Sequence, residues 1–183
     1  MVNRVICALC DKIILPSVRA FEAIPSAQFQ PRRYAKINLM FADEMVPQLQ
    51  GLARDFVSYI GTIAEDHAFD EFVRLMQDCI TNQALLPMKF LIASRSQLPE
   101  KHLATINNCL SSGRLVVYFG SPMTNSQINF FYAQSFVVWN AYKRSMQSGV
   151  LPKAYMFGTP VLVSISNQSE YFVDNVHGAL ISD

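Results

Sequence analysis

From Phe56 onward, short apolar runs alternate with segments of helical periodicity. Phe56-Val-Ser-Tyr-Ile60 is rich in β-formers and stops at Gly61, and the segment that follows carries Phe69, Phe72, Val73, Met76 and Ile80 at the spacing of one helix face. A second unit runs from a buried strand at Met88–Ala93, through a turn at Ser94–Leu98, into a helix opened by Pro99 with Leu103, Ile106 and Leu110 facing inward and Gly113 ending it. The third has Leu115-Val-Val-Tyr-Phe119, Gly120, and then Thr124-Asn-Ser-Gln127, a capping-box pattern leading a helix with Ile128, Phe131 and Tyr132. The fourth comprises Phe136-Val-Val-Trp139, a loop through Arg144, and a helix from about Ser148 to Phe157 closed by Gly158. A fifth is Pro160–Ile165, a short helix around Glu170–Val173, and Gly178–Ser182.

Five strand–helix units in succession predict an α/β fold, a Rossmann-like parallel sheet with helices on both faces. The strands read as continuous apolar runs, which suits a sheet covered on both sides. In such a sheet a ligand sits outside the carboxyl ends of the strands, here the loops after Gly61, Ala93, Gly120 and Trp139. Residues 1–50 behave differently: Val5–Leu9 reads as helix, Lys12–Leu15 as a short strand before Pro16, and Ala35–Phe41 as extended chain. The expected division is therefore a linker and partial unit over 1–50 and the regular array over 51–183.

Composition narrows the class without naming a ligand. The 183 residues are 51% hydrophobic, and 15 Lys and Arg stand against 14 Asp and Glu, for a formal charge of +1. That excludes a disordered or low-complexity chain, and the scattered charges give nucleic acid no basic face. No apolar run approaches the length of a membrane span, and Asp11 and Lys12 interrupt any signal-like segment. The expectation is a cytoplasmic protein, with peripheral association at the inner membrane face. Cys7 and Cys10 have redox or zinc-knuckle spacing, but Cys79 and Cys109 do not complete a zinc site, so the pair reads as two small apolar residues. The histidines, at 67, 102 and 177, show no metal-ligand spacing, so neither metal nor cofactor is expected.

Particular residues then carry a resemblance. Tyr59-Ile-Gly-Thr62, Phe90-Leu-Ile-Ala-Ser-Arg95, Val117-Tyr-Phe-Gly120, Gln147-Ser-Gly-Val-Leu-Pro152, Ala154 and Gly158-Thr-Pro-Val161 occur in this order and are followed by Glu170 and Gly178-Ala-Leu-Ile181. The series, from Phe56 to Asp183, resembles the carboxyl-terminal, nucleotide-sugar-binding half of family 4 (group 1) glycosyltransferases, which pair two Rossmann-like domains across a cleft. The Gln-Ser-Gly element is similar to one branch of that family. The resemblance implies a retaining, metal-independent transferase moving a hexose from a nucleoside-diphosphate sugar to a glycan or lipid-linked acceptor, in the synthesis of a bacterial surface polysaccharide.

Carried over position by position, the resemblance implies donor contacts at Thr62, His67, Arg95, Lys143, Arg144, Ser148, Gly149, Lys153 and Glu170. Backbone amides at Ser148 and Gly149 suit a diphosphate, and Lys143 and Arg144 supply mobile positive charge. Four positions depart from the family. Thr62 and His67 stand where its turn carries arginine and lysine, which makes the charge there conditional on protonation of an imidazole. Ser145 and Lys153 stand where it carries two glutamates, so the donor must be held differently. Phe130, Phe131, Tyr132 and Phe136 read as core. The acceptor-binding half and the closing helices are expected to be missing, which leaves a separate acceptor domain as an expected partner. The alternative is a nucleotide-binding or interaction module without turnover.

Overall fold

The computed structural model describes residues 10–15, 21–22, 24, 30–37, 42–82, 88–143, 148–167 and 172–182. The helix expected over Val5–Leu9 and the first half of the one expected around Glu170–Val173 lie outside these residues. The chain divides into two compact units, Met1–Ala42 and Asp43–Asp183. In the first, β1 (Ile13–Leu15) pairs in parallel with β2 (Tyr34–Lys36), with Ile13 opposite Tyr34. The Arg33 guanidinium secures the chain ahead of β1 by donating to the Cys10 carbonyl at 2.9 and 3.2 Å.

The second unit follows the predicted alternation: β3 (Phe56–Ile60), α1 (Phe69–Thr81), β4 (Lys89–Ala93), α2 (Leu103–Ser111), β5 (Leu115–Tyr118), α3 (Asn125–Gln134), β6 (Ser135–Asn140), α4 (Val150–Met156), β7 (Val161–Ser164) and β8 (Gly178–Ile181). The six strands from β3 to β8 form one parallel sheet in the order β5-β4-β3-β6-β7-β8. Alternation along each strand feeds two cores. Phe90 and Ile92 pack with Phe72, Met76 and Ile106 from α1 and α2. Leu91 and Ala93 point the other way, into a core with Phe131, Ala154 and Phe157. Helices thus cover both faces, as expected of a Rossmann-like sheet.

Local chemistry explains the boundaries. Thr124 caps α3 through the predicted box: its hydroxyl accepts from the Gln127 amide, and the Gln127 side chain accepts from the Thr124 amide at 2.9 Å. Gly178, at φ +150°, lies so close to β7 that a Cβ would sit 1.8 Å from the Val161 carbonyl oxygen. Among the described residues no helix is long and apolar enough to cross a membrane.

Several side chains depart from expectation. Leu103 and Leu110 are exposed rather than inward, because Ile106 and Cys109 form the buried stripe of α2. Phe136, expected in the core, is 54% exposed. The β3–β6 register steps from Phe56↔Ser135 to Val57↔Val137, so Phe136 is the extra residue of a bulge and is turned out of the sheet. Phe130 is likewise exposed, on the outer side of α3, while Phe131 and Tyr132 are buried. Val116 and Tyr118 face outward on β5, which forms one edge of the sheet. Residues 172–176 form coil and a turn, not the end of a helix.

Candidate functional site

The sheet order locates the site before any side chain is considered. From β3 the chain builds outward through β4 and β5; from β6 it builds the opposite way through β7 and β8, so the loops leaving β3 and β6 diverge. A crevice opens at such a switch point, outside the strand carboxyl ends. Gly61 begins the loop on the β3 side with φ +141°, and no atom lies within 4 Å of the point a Cβ would occupy. Its amide donates to the Ala93 carbonyl at 2.9 Å, and the Ile63 amide donates to the Ser96 hydroxyl at 3.1 Å, which draws the β3 and β4 loops together.

The turn from Gly61 to Ala68 is held from inside. The Thr62 carbonyl accepts from the Tyr59 hydroxyl at 2.9 Å and from His67 Nδ1 at 2.7 Å. The His67 ring stacks on Tyr142 from the β6 loop, with centroids 4.2 Å apart and planes 14° from parallel. The Lys143 amide donates to the Asp66 carbonyl at 2.8 Å, so the β3 and β6 loops are joined by backbone as well as by rings. Ala68 completes the turn at φ 53°, a left-handed conformation, as α1 begins.

The β6 side adds a connected polar group. The Ser148 hydroxyl donates to Asn140 Oδ1 at 3.3 Å and accepts from the Val150 amide at 3.2 Å. Asn167 Nδ2 donates to the Asn140 carbonyl at 3.0 Å, and the Ser164 hydroxyl donates to the Tyr142 carbonyl. Burial pushes the Tyr142 phenol up, against a hydrogen bond with Ser148 that lowers it. Asn140 Nδ2 is buried without a partner among the described residues. Lys143 Nζ pairs with Glu71 at 2.8 Å, and that hydrogen bond raises the ammonium's pKa. Beside this pair a cleft of about 450 Å³ lies between α1 and the ends of β6, β7 and β8, with Trp139, Ala141 and Ser164 among its walls.

The structure therefore gathers Thr62, His67, Lys143 and Ser148 on adjoining loops at one pole of the sheet, with Gly149 next to Ser148 and Arg95 exposed on the loop after β4. Lys153 is held elsewhere. Its ammonium, on a side chain only 13% exposed, pairs with Glu44 at 2.7 Å and donates to Asn129 Oδ1 at 2.8 Å, while Asn129 Nδ2 donates to the same Glu44 carboxylate. Arg144 and Glu170 lie outside the described residues. Asn140, Tyr142 and Asn167 belong to the site but were not singled out in the sequence, where the first two extend an apolar strand run. The available signal was a polar amide, Asn140, directly after Val-Val-Trp at a strand's carboxyl end.

No protein family and no curated protein matches the sequence. Solved structures match its fold. The C-terminal domain of a glycosyl transferase group 1 family protein from Francisella tularensis aligns with a TM-score of 0.55 at 14% identity, over 71% of this chain and 68% of that one. TarM, known from S. aureus, aligns with a TM-score of 0.74 at 14% identity, over 98% of this chain and 36% of TarM. HepE from Anabaena, solved in complex with UDP, aligns with a TM-score of 0.67 at 13% identity, over 94% of this chain and 50% of HepE. The chain thus spans half or less of the length of TarM and of HepE. The likeness is one of fold, the Rossmann-like α/β sheet.

Proposed function

We propose that this chain is the donor-binding part of a retaining, metal-independent glycosyltransferase that moves a hexose from a nucleoside-diphosphate sugar to a glycan or lipid-linked acceptor in surface polysaccharide synthesis. The observation that carries this reading is the switch-point crevice. There an open glycine turn, His67, Lys143 and Ser148 converge on adjoining loops, in a fold shared with HepE, a protein solved with UDP bound. The diphosphate lies against the open face of Gly61, with Thr62 and the Ser148 amide as neutral hydrogen-bond donors and Lys143 and Arg95 as cations. Gly149 lets the backbone approach the phosphates closely. Arg144 and Glu170, by the sequence resemblance alone, complete the contacts to phosphate and sugar.

In the reaction the bond from the anomeric carbon to the diphosphate oxygen breaks, the electron pair leaving with the diphosphate. A bond from that carbon to an acceptor oxygen forms on the same face, and the acceptor's proton departs to the leaving group or solvent. Cations and hydrogen-bond donors at the crevice stabilise the departing charge. Acceptor binding falls to a separate acceptor domain, and the work is done in the cytoplasm at the inner membrane face.

The test is thermal denaturation with UDP, GDP, UDP-glucose and GDP-mannose at millimolar concentration. A ligand at a hundred times its Kd adds about 2.7 kcal/mol to stability, so Tm rises by several degrees with at least one of them. No shift with any of the four overturns the donor-site reading. Transfer of labelled sugar from the stabilising donor then tests turnover.

A further inference from the structure

His67 is held by bonds that decide where it can gain a proton. Nδ1 lies 2.7 Å from the Thr62 carbonyl oxygen, an acceptor only, so Nδ1 carries hydrogen in every state and the neutral ring keeps its lone pair on Nε2. The stack on Tyr142 fixes the ring plane, and the side chain is 14% exposed. A ring flip would lose the bond to Thr62. Nε2 is thus the one ring position whose protonation changes the charge of this turn.

The Asp66 carboxylate is 3.8 Å from Nε2, within ion-pair range of a protonated ring though beyond hydrogen-bond reach, and Glu65 lies in the same turn. On the β6 loop, Tyr142 is kept neutral by burial, and Lys143 is paired with Glu71 of α1. Tyr59, beneath the turn, is also kept neutral by burial. Asp70 of α1 is paired with Lys101 and His102. A diphosphate entering beside Gly61 brings two negative charges to a turn whose own neighbours, Glu65 and Asp66, are acidic.

We infer that binding of a nucleoside-diphosphate sugar is coupled to uptake of a proton from solvent onto His67 Nε2, so that donor affinity at this site is set by pH. The inference rests on the donor-site reading above. A bound anion favours the charged form of an imidazole. Affinity is therefore highest at acid pH and falls as pH rises, by at most about tenfold per pH unit for one proton. A buffer acid supplies the proton, and its conjugate base remains in solution.

Isothermal titration with UDP-glucose and GDP-mannose, in pairs of buffers of different ionisation heat at pH 7.5, reads this directly. Their diphosphates are esterified at both ends and do not titrate near neutrality. For the wild-type chain the apparent enthalpy should vary with buffer heat with a slope between zero and one proton taken up, and Kd should weaken from pH 6 to pH 8. His67→Gln should bind with zero slope and a flat pH profile. His67→Lys, with a permanent charge, should also give zero slope but restore tight binding at pH 8. The ring resonances of His67 give the same answer in the wild type, should a variant fail to fold: its titration moves upward when the sugar nucleotide is added. Binding with zero slope in the wild type, or a slope that persists in His67→Gln, overturns this inference and leaves the donor site standing. Absence of binding by either sugar nucleotide overturns both.

Discussion

A single methyl group decides whether β8 can join the sheet. At Gly178 a Cβ would collide with the Val161 carbonyl oxygen at 1.8 Å, and φ is +150°. Gly178→Ala is expected to lower stability by about 3 kcal/mol, read as a drop in denaturation midpoint, because neither the backbone nor β7 can yield cheaply. The two phenylalanines Phe131 and Phe136 show the opposite contrast. Phe131→Ala removes a buried ring and should cost about 3–5 kcal/mol, while Phe136→Ser, at the exposed bulge, should fall within about 0.5 kcal/mol of wild type. Side-chain burial was legible where it followed from a regular period, as at Phe72, Val73 and Met76. It failed at Phe136, because a bulge adds one residue to a strand and inverts the alternation without leaving a mark in the local composition.

At the scale of elements, α1 is tied to the turn before α2 by a cluster of charges. Asp70 accepts from Lys101 at 2.6 Å and from His102 at 2.7 Å, and these bonds, with Lys101 the larger effect, hold its carboxyl below the ordinary carboxylate range. Because the folded state lowers this pKa, the stabilisation is present above the unfolded carboxyl's pKa of about 3.9 and is lost as pH falls through the folded value. Asp70→Asn should lower stability at pH 7 by no more than about 1 kcal/mol, since the pair is open to solvent, and should make no difference at the acid end. Equal losses at pH 7 and at pH 2 would assign Asp70 a packing role instead. The elements themselves were readable: strand periods, the glycine stops and the Thr124 box all fell where elements begin or end. What sequence could not give was the rotation of α2. A face with Leu103, Ile106 and Leu110 and a face with Ile106 and Cys109 differ only in which side the neighbouring sheet lies.

For the whole molecule, the compact unit begins at Asp43, and its first residues are part of its packing. Glu44 closes the triangle with Lys153 and Asn129, and Met45 and Leu49 pack against the core on that face. A fragment spanning residues 43–183 should therefore denature at a higher temperature than one spanning 51–183, which loses those groups and leaves Lys153 without its carboxylate. The pole of the sheet that gathers Thr62, His67, Lys143 and Ser148 was foreseeable, because parallel strands place their loops by rule. The fate of Lys153 was not: its partner lies far off in sequence, in a segment without periodicity, so nothing local announces that its charge is already taken. The bulged pairing of β3 with β6 has a kinetic consequence too. The Ser58 and Ser135 hydroxyls meet at 2.6 Å across strands whose residues stand 77 positions apart, whereas β3 reaches β4 through a single helix. Closing that long loop is the entropically expensive step of assembly, so β3–α1–β4 and β6–α4–β7 should each form before they join. The crevice exists only once the two have met, and recovery of ligand binding during refolding should follow the slowest structural phase rather than the appearance of helix.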